Sequence, residues 1–212
     1  MKVVILVHKL SSLMSHRITL ARTLLKNGYE VVIGFGEFGN TKANILKKEG
    51  FRVCFIPIER GGINLIQDIK SLFLIWNFFK KENPKIVHLV TIKPYLYGGI
   101  IARLIGVPAV ISAVAGLGSL FISQNLKSKF LKFCLHPFFR FSFGHQNQQI
   151  IVQNKDDLNS LIQLYKINPK KFNLIKGSGV DLKKYNVSKK PLSTPTVCFA
   201  GRLLIEKGVM EY

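Results

Sequence analysis

Short apolar runs alternate with helix-patterned segments along most of this chain, and that alternation restricts its folding more than any other feature. The runs fall at 2–8, 30–35, 52–56, 86–90, 109–114, 150–152 and 172–175. Between them, apolar residues recur at helical spacing over 16–27, 41–49, 64–81, 94–105, 126–143 and 154–165. Runs that are apolar throughout suit strands buried on both faces, and strands separated by single helices suit right-handed parallel crossovers. The expected fold is therefore α/β, a Rossmann-like parallel sheet flanked by helices. Local signals agree. Ser15 is placed to cap the first helix after a loop at 9–15, and Gly28 to end it. Pro94 suits a first-turn position, and Asn154 caps the helix before Tyr165. Residues 186–195 are polar and basic and carry Pro191 and Pro195, which reads as a linker. The expected organisation is one domain over 1–190, with 191–212 as linker and the start of a second domain.

Charge is the outlier of the composition. Thirty-one Lys and Arg against eleven Asp and Glu give +20, and no acidic residue occurs from Asn83 to Lys155. Such a field attracts nucleic acid, anionic lipid headgroups or phosphorylated substrates, and composition does not choose among them. Hydrophobic residues make up 48% of the 212, ample for a core. The longest strongly apolar run, 72–79, is far short of the roughly 20 residues that span a bilayer. Cys54, Cys134 and Cys198 are widely spaced in apolar surroundings and read as buried reduced thiols.

Several motifs bear on chemistry. The stretch 197–208 reads as a buried strand, a glycine turn at Gly201 and a helix opening that carries Arg202, Glu206 and Lys207. Unpaired N–H groups, a helix dipole and two cations there suit a diphosphate; the plainer reading is an ordinary strand-to-helix turn with solvated charges. Residues 115–119 place glycines at a strand's carboxyl end, where open α/β sheets bind ligands. The G-x-G-x-x-G run at 34–39 follows the second strand rather than the first, so it reads as a loop and not a dinucleotide site. The five histidines show no paired metal spacing, and His88 at a strand end reads first as a satisfied core residue. The segment 126–143 interleaves lysines with six phenylalanines. It is either a core helix with solvated charges or a helix lying in a membrane interface. Aromatics on nearly every side are more than one core face absorbs.

Taken together, the residues resemble the N-terminal half of a family 4 glycosyltransferase of GT-B architecture, among bacterial enzymes that extend sugars on polyprenyl-diphosphate carriers. The resemblance rests on Lys85-Ile86-Val87-His88, on Ile92-Lys93-Pro94 with Gly98-Gly99 and Ala102-Arg103, and on Gly116-Leu117-Gly118. It extends to Gly179-Val180-Asp181 with Tyr185, and to Gly201-Arg202-Leu203 before Glu206-Lys207-Gly208. It implies hexosyl or N-acetylhexosaminyl transfer from a nucleotide sugar, expected to be UDP-linked, to a lipid-linked acceptor in surface-glycan synthesis. Gly201, Arg202 and Lys207 would hold the donor diphosphate. Arg17, Lys93, Gly116 and Gly118 would face the acceptor cleft. No metal and no cofactor are implied, and the catalytic residue is left unassigned. Partners would be an anionic membrane surface at the inner face of the cell membrane and a C-terminal lobe, in the same polypeptide or separately encoded, but not nucleic acid. Two departures stand out: the 9–15 loop lacks the double glycine of many relatives, and the paired-glutamate segment that grips the nucleotide sugar is absent. The chain alone is therefore expected to be inactive. The rival expectations are a non-catalytic lobe that needs a partner, and a basic nucleic-acid-binding domain.

Overall fold

The computed structural model describes residues 1–37, 40–58, 64–117, 126–182, 197–201, 203 and 208–210; the expectations placed on Gly118, Arg202 and Lys207 lie outside them. The chain divides into two units, Met1–Ser178 and Gly179–Tyr212.

In the first unit, strands β1 (Lys2–Val7), β2 (Glu30–Phe35), β3 (Arg52–Phe55), β4 (Ile86–Val90), β5 (Ala109–Val114), β6 (Gln148–Val152) and β7 (Phe172–Leu174) form one sheet. The order is β3-β2-β1-β4-β5-β6-β7 and every pair is parallel. The chain thus builds outward from β1 to β3, returns to β4 on the other flank of β1, and builds outward again to β7. That reversal leaves a crevice at the carboxyl ends of β1 and β4, the usual ligand position in open sheets of this kind.

Alternate residues of the central strands feed two cores. On one face Val3, Ile5, Val7 and Ile33 pack with helices α1 (Leu10–His16), α2 (Ile18–Lys26) and α3 (Asn40–Lys48), through Leu13, Ala21 and Leu46. On the other, Val4, Leu6, Val87 and Leu89 meet α4 (Leu65–Glu82), α5 (Gly99–Leu104), α6 (Leu126–Phe143) and α7 (Lys155–Tyr165). Register places Ile5, His88 and Ile111 side by side on the α1–α3 face.

The structure departs from the expected elements in four places. Residues 10–16 are helical rather than a loop, because Leu10 and Leu13 bury against the sheet; the next helix then starts at Ile18, not behind Ser15. The helix expected at 94–105 opens as a π-helical turn, Pro94–Gly98, before α5. Residues 197–200 form no strand, and Val197 is 77% exposed. Finally, the thiols are free, but Cys134 and Cys198 are exposed and Cys54 is only half-buried, so burial does not explain them.

Two of the motif residues are packing devices. A Cβ on Gly99 would overlap the Ser142 hydroxyl, which donates to the Tyr95 carbonyl at 2.6 Å. A Cβ on Gly98 would press on Leu89. The glycine pair lets α6 and the π-helical turn approach closely enough to pack Tyr95 against Phe143 in a tilted pair, centroids 5.5 Å apart.

Candidate functional site

On and beside the two switch-point strands, β1 and β4, three residues carry unpartnered buried polar atoms: Arg17, His88 and Thr91. Arg17 sits at the break between α1 and α2, where it ends one helix and opens the next. Its N–H donates to Leu13 and its carbonyl accepts from Ala21, so the backbone is fixed on both sides. Its Nε is buried without a hydrogen-bond partner, and burial lowers the pKa of the guanidinium. His88, on β4, is 4% exposed, and its Nε2 likewise has no partner. Burial first, and the Arg17 charge second, lower its pKa to about 4, so the ring is neutral at pH 7. The expectation of a satisfied core histidine therefore fails among the described residues, because the imidazole is buried with one nitrogen idle.

Thr91 follows β4 with φ +77°, the left-handed region that a β-branched residue rarely occupies. Its Oγ1 is buried and unpartnered, while its carbonyl accepts from Tyr95 N at 3.0 Å. Such strain persists where the surroundings over-determine it, and it clusters at ligand sites. Thr91→Gly is expected to stabilise the fold. Relief of roughly 1–3 kcal/mol of backbone strain outweighs the entropy of an added glycine, about 0.5–1 kcal/mol. Thermal denaturation should show Tm rising by a few degrees; a fall would mean that Thr91 is held by packing alone.

The remaining expected site residues are placed as follows. Lys93 Nζ lies 2.7 Å from Asp68 Oδ1 on α4, both side chains largely buried, and 5.9 Å from the Tyr97 ring. Its charge is thus engaged by a carboxylate that the sequence reading did not single out. Burial, and then the hydrogen bond to Asp68, raise the Tyr97 pKa. Gly116 follows β5 with φ +112° and nothing near its Cβ position, so its backbone borders open space at the sheet's carboxyl edge. Farther along this edge, Asn154, Lys155, Lys176 and Gly177 line a cavity of about 540 Å³ beyond β6 and β7. Gly201, in the second unit, is exposed. Arg17 and His88 are brought together; Lys93 is held by Asp68 and Gly116 stands on a separate loop.

A parallel sheet with a crevice at its switch point is common to many enzymes, so the family has to come from comparison. A model of the family described as "Glycosyl transferase 4-like" matches residues 2–154. The chain belongs to that family. Among curated proteins, it is 34% identical over 137 residues to an Escherichia coli UDP-Gal:alpha-D-GlcNAc-diphosphoundecaprenol alpha-1,3-galactosyltransferase, covering 65% of this chain and 34% of that protein. It is 24% identical to a Campylobacter jejuni N,N'-diacetylbacillosaminyl-diphospho-undecaprenol alpha-1,3-N-acetylgalactosaminyltransferase, covering 100% of this chain and 59% of that one. This glycosyl transferase 4-like chain therefore spans between one third and three fifths of the curated relatives it matches. Among solved structures, it superposes on a UDP complex of Staphylococcus aureus MnaA with TM-score 0.61 at 14% identity, over 91% of this chain and 49% of that one. A glycosyltransferase from Rickettsia africae gives TM-score 0.55 at 19% identity, over 82% and 42%. These likenesses carry the fold; the expectation of a Rossmann-like, GT-B lobe holds.

Proposed function

We propose that residues 1–190 are the acceptor-side lobe of a glycosyltransferase that moves a hexosyl or N-acetylhexosaminyl unit from a nucleotide sugar to a polyprenyl-diphosphate-linked acceptor. The observation that carries this reading is the Arg17 guanidinium, set with a buried, unpartnered Nε beside the neutral His88 at the switch point. A half-buried cation with no carboxylate among the described residues is unfavourable for the fold, and a diphosphate would supply the missing charge with bidentate hydrogen bonds. His88 Nε2 and Thr91 Oγ1, neutral and unpaired, suit sugar or phosphate oxygens, and the Gly116 backbone leaves room beside them. Both curated relatives are named for transfer to sugars on diphosphoundecaprenol, which supports that acceptor class. The donor diphosphate is assigned to Gly201, Arg202 and Lys207. Transfer then needs a complete donor lobe, in the same polypeptide or in a partner chain, and 191–212 is its beginning.

The acceptor's lipid places the lobe at the inner face of the cell membrane. No helix among the described residues is long and apolar enough to cross a bilayer. Instead α6 exposes Leu126, Phe130, Phe133 and Phe138 along one side, at up to 85% exposure, while Phe139 and Phe143 fill the core. Apolar burial and attraction of the basic surface to anionic lipid would act together there. On α4, Ile66, Ile69 and Phe73 are exposed as well.

The test joins this chain to a donor lobe and assays transfer from UDP-sugars to a polyprenyl-diphosphate-linked sugar. Transfer to that acceptor, and none to the free sugar, is expected. Binding to phosphatidylglycerol vesicles should fall on Phe130→Ser with Phe133→Ser. Binding to oligonucleotides in preference to vesicles would overturn the membrane reading.

A further inference from the structure

The two halves of the sheet's amino edge treat their cations differently. Beneath β3, β2 and β1, Lys2 lies 3.1 Å from Glu30 and 3.3 Å from Glu82, and Arg52 lies 3.0 Å from Glu82. Each of these cations is matched by a carboxylate. Beneath β5, β6 and β7, four cations line one cavity of about 490 Å³: Arg103, Arg140, Lys166 and Lys171. No carboxylate lines it, and none of the four is ion-paired among the described residues.

Two of these cations are held in place by neutral groups. The Arg103 guanidinium donates to the Phe141 carbonyl at 2.8 Å and stacks on the Phe141 ring, 4.3 Å from its centroid. Lys171 Nζ donates to the His145 carbonyl at 2.7 Å. Burial, and then the Arg103 charge, lower the Lys171 pKa, so these two cations repel each other where the fold fixes them. Solvated surface lysines would relax apart. Here carbonyls and an aromatic ring restrain the approach of like charges, and the cavity between them is open to an anion.

We propose that this cavity is a phosphate-binding site, separate from the switch-point crevice and at the opposite edge of the sheet. Arg103 and Lys171 form its fixed wall, and Arg140 and Lys166 add two further cations to its lining. A fork-shaped guanidinium held in place, with ammonium groups beside it, suits a phosphate monoester or diester better than a carboxylate. The volume admits the phosphate together with its ester substituent. Two sources share that chemistry. One is a soluble phosphate compound. The other is the headgroup of an anionic lipid, since the cavity opens beside Phe141, where the exposed side of α6 ends.

The site is tested by following backbone amide shifts of Gly144, Lys166 and Asn168 while inorganic phosphate is added to the 212-residue chain. Separately, binding is measured to vesicles of phosphatidylglycerol against phosphatidylcholine. Arg140→Gln with Lys166→Gln leaves the fixed wall intact, and Lys26→Gln with Lys48→Gln removes the same charge from α2 and α3. If the source is soluble, phosphate shifts these amides saturably, and the cavity double variant weakens it about tenfold or more, as loss of charged hydrogen bonds requires. If it is lipid, that variant weakens phosphatidylglycerol binding by a similar factor, well beyond the charge-matched control. Either result supports the site. Unmoved amides, together with equal vesicle losses in both double variants, would overturn it. Shifts confined to the Arg17 and Gly116 amides would overturn it too, while leaving the acceptor reading intact.

Discussion

Replacing Arg17 by leucine is expected to abolish acceptor use while leaving the protein at least as stable as before. The two effects have one cause. In the unliganded fold, the guanidinium is partly buried with an idle Nε, its Nη1 donates only a long bond of 3.4 Å to the His16 carbonyl, and the neighbouring imidazole is neutral, so little among the described residues repays its desolvation. Removing an uncompensated charge and filling its place with apolar volume is neutral or stabilising for the fold. A diphosphate ligand loses its charge-assisted bonds, which are worth about 1.5–3 kcal/mol each, or roughly tenfold to more than a hundredfold in affinity. Calorimetric titration with a short-chain polyprenyl-diphosphate sugar, and thermal denaturation in the same buffer, read the two effects separately. Weakened binding with Tm unchanged or raised is the expected pair. A marked fall in Tm would make Arg17 a structural residue and remove the main support for the acceptor site.

The second large effect is a pH dependence set by His88. Its folded-state pKa is about 4 against an ordinary 6.5, through burial and then the Arg17 charge. Between those values the unfolded chain binds a proton that the folded chain refuses, so stability falls as pH drops. The contribution is fully present above pH 6.5 and is lost progressively down to about pH 4. It amounts to about 3 kcal/mol. Glu37 and Glu49, whose pKa values are lowered by Lys9 and Arg22, add their own loss in acid. The difference between the wild type and His88→Gln isolates the histidine. Denaturant unfolding from pH 7 to pH 4 should give a steeper decline for the wild type by about that amount. Parallel declines would show that the imidazole titrates normally. A bound diphosphate beside Arg17 would reverse the local field and raise the His88 pKa, which the ring's NMR shifts would report.

Much of the fold was legible because parallel strands buried on both faces leave unbroken apolar runs. The run 86–90 needed no tertiary information to be placed. Segment 126–143 was legible in part: its excess of aromatics over one core face is real, with Phe139 buried and Phe133 exposed. The site was harder to read. Arg17 and Lys93 look alike in sequence, both cations just past a strand or helix boundary. Only folding brings Asp68, from a helix on the far side of a loop, against Lys93 while leaving Arg17 with no acid among the described residues. The φ of Thr91 leaves no trace in a threonine codon's neighbours, and the idle nitrogen of His88 is a property of its surroundings. The loop expected at 9–15 failed for a related reason, since Leu10 and Leu13 gain burial only once the sheet is there to receive them.

Which ligand the switch-point crevice takes is decided by titration of this chain with two ligands. A short-chain polyprenyl-diphosphate sugar should bind, compete with pyrophosphate, and lose affinity on Arg17→Leu, while a UDP-sugar should bind far more weakly and ignore that substitution. Tight UDP-sugar binding that depends on Arg17, with no binding of the lipid-linked sugar, would contradict the acceptor reading.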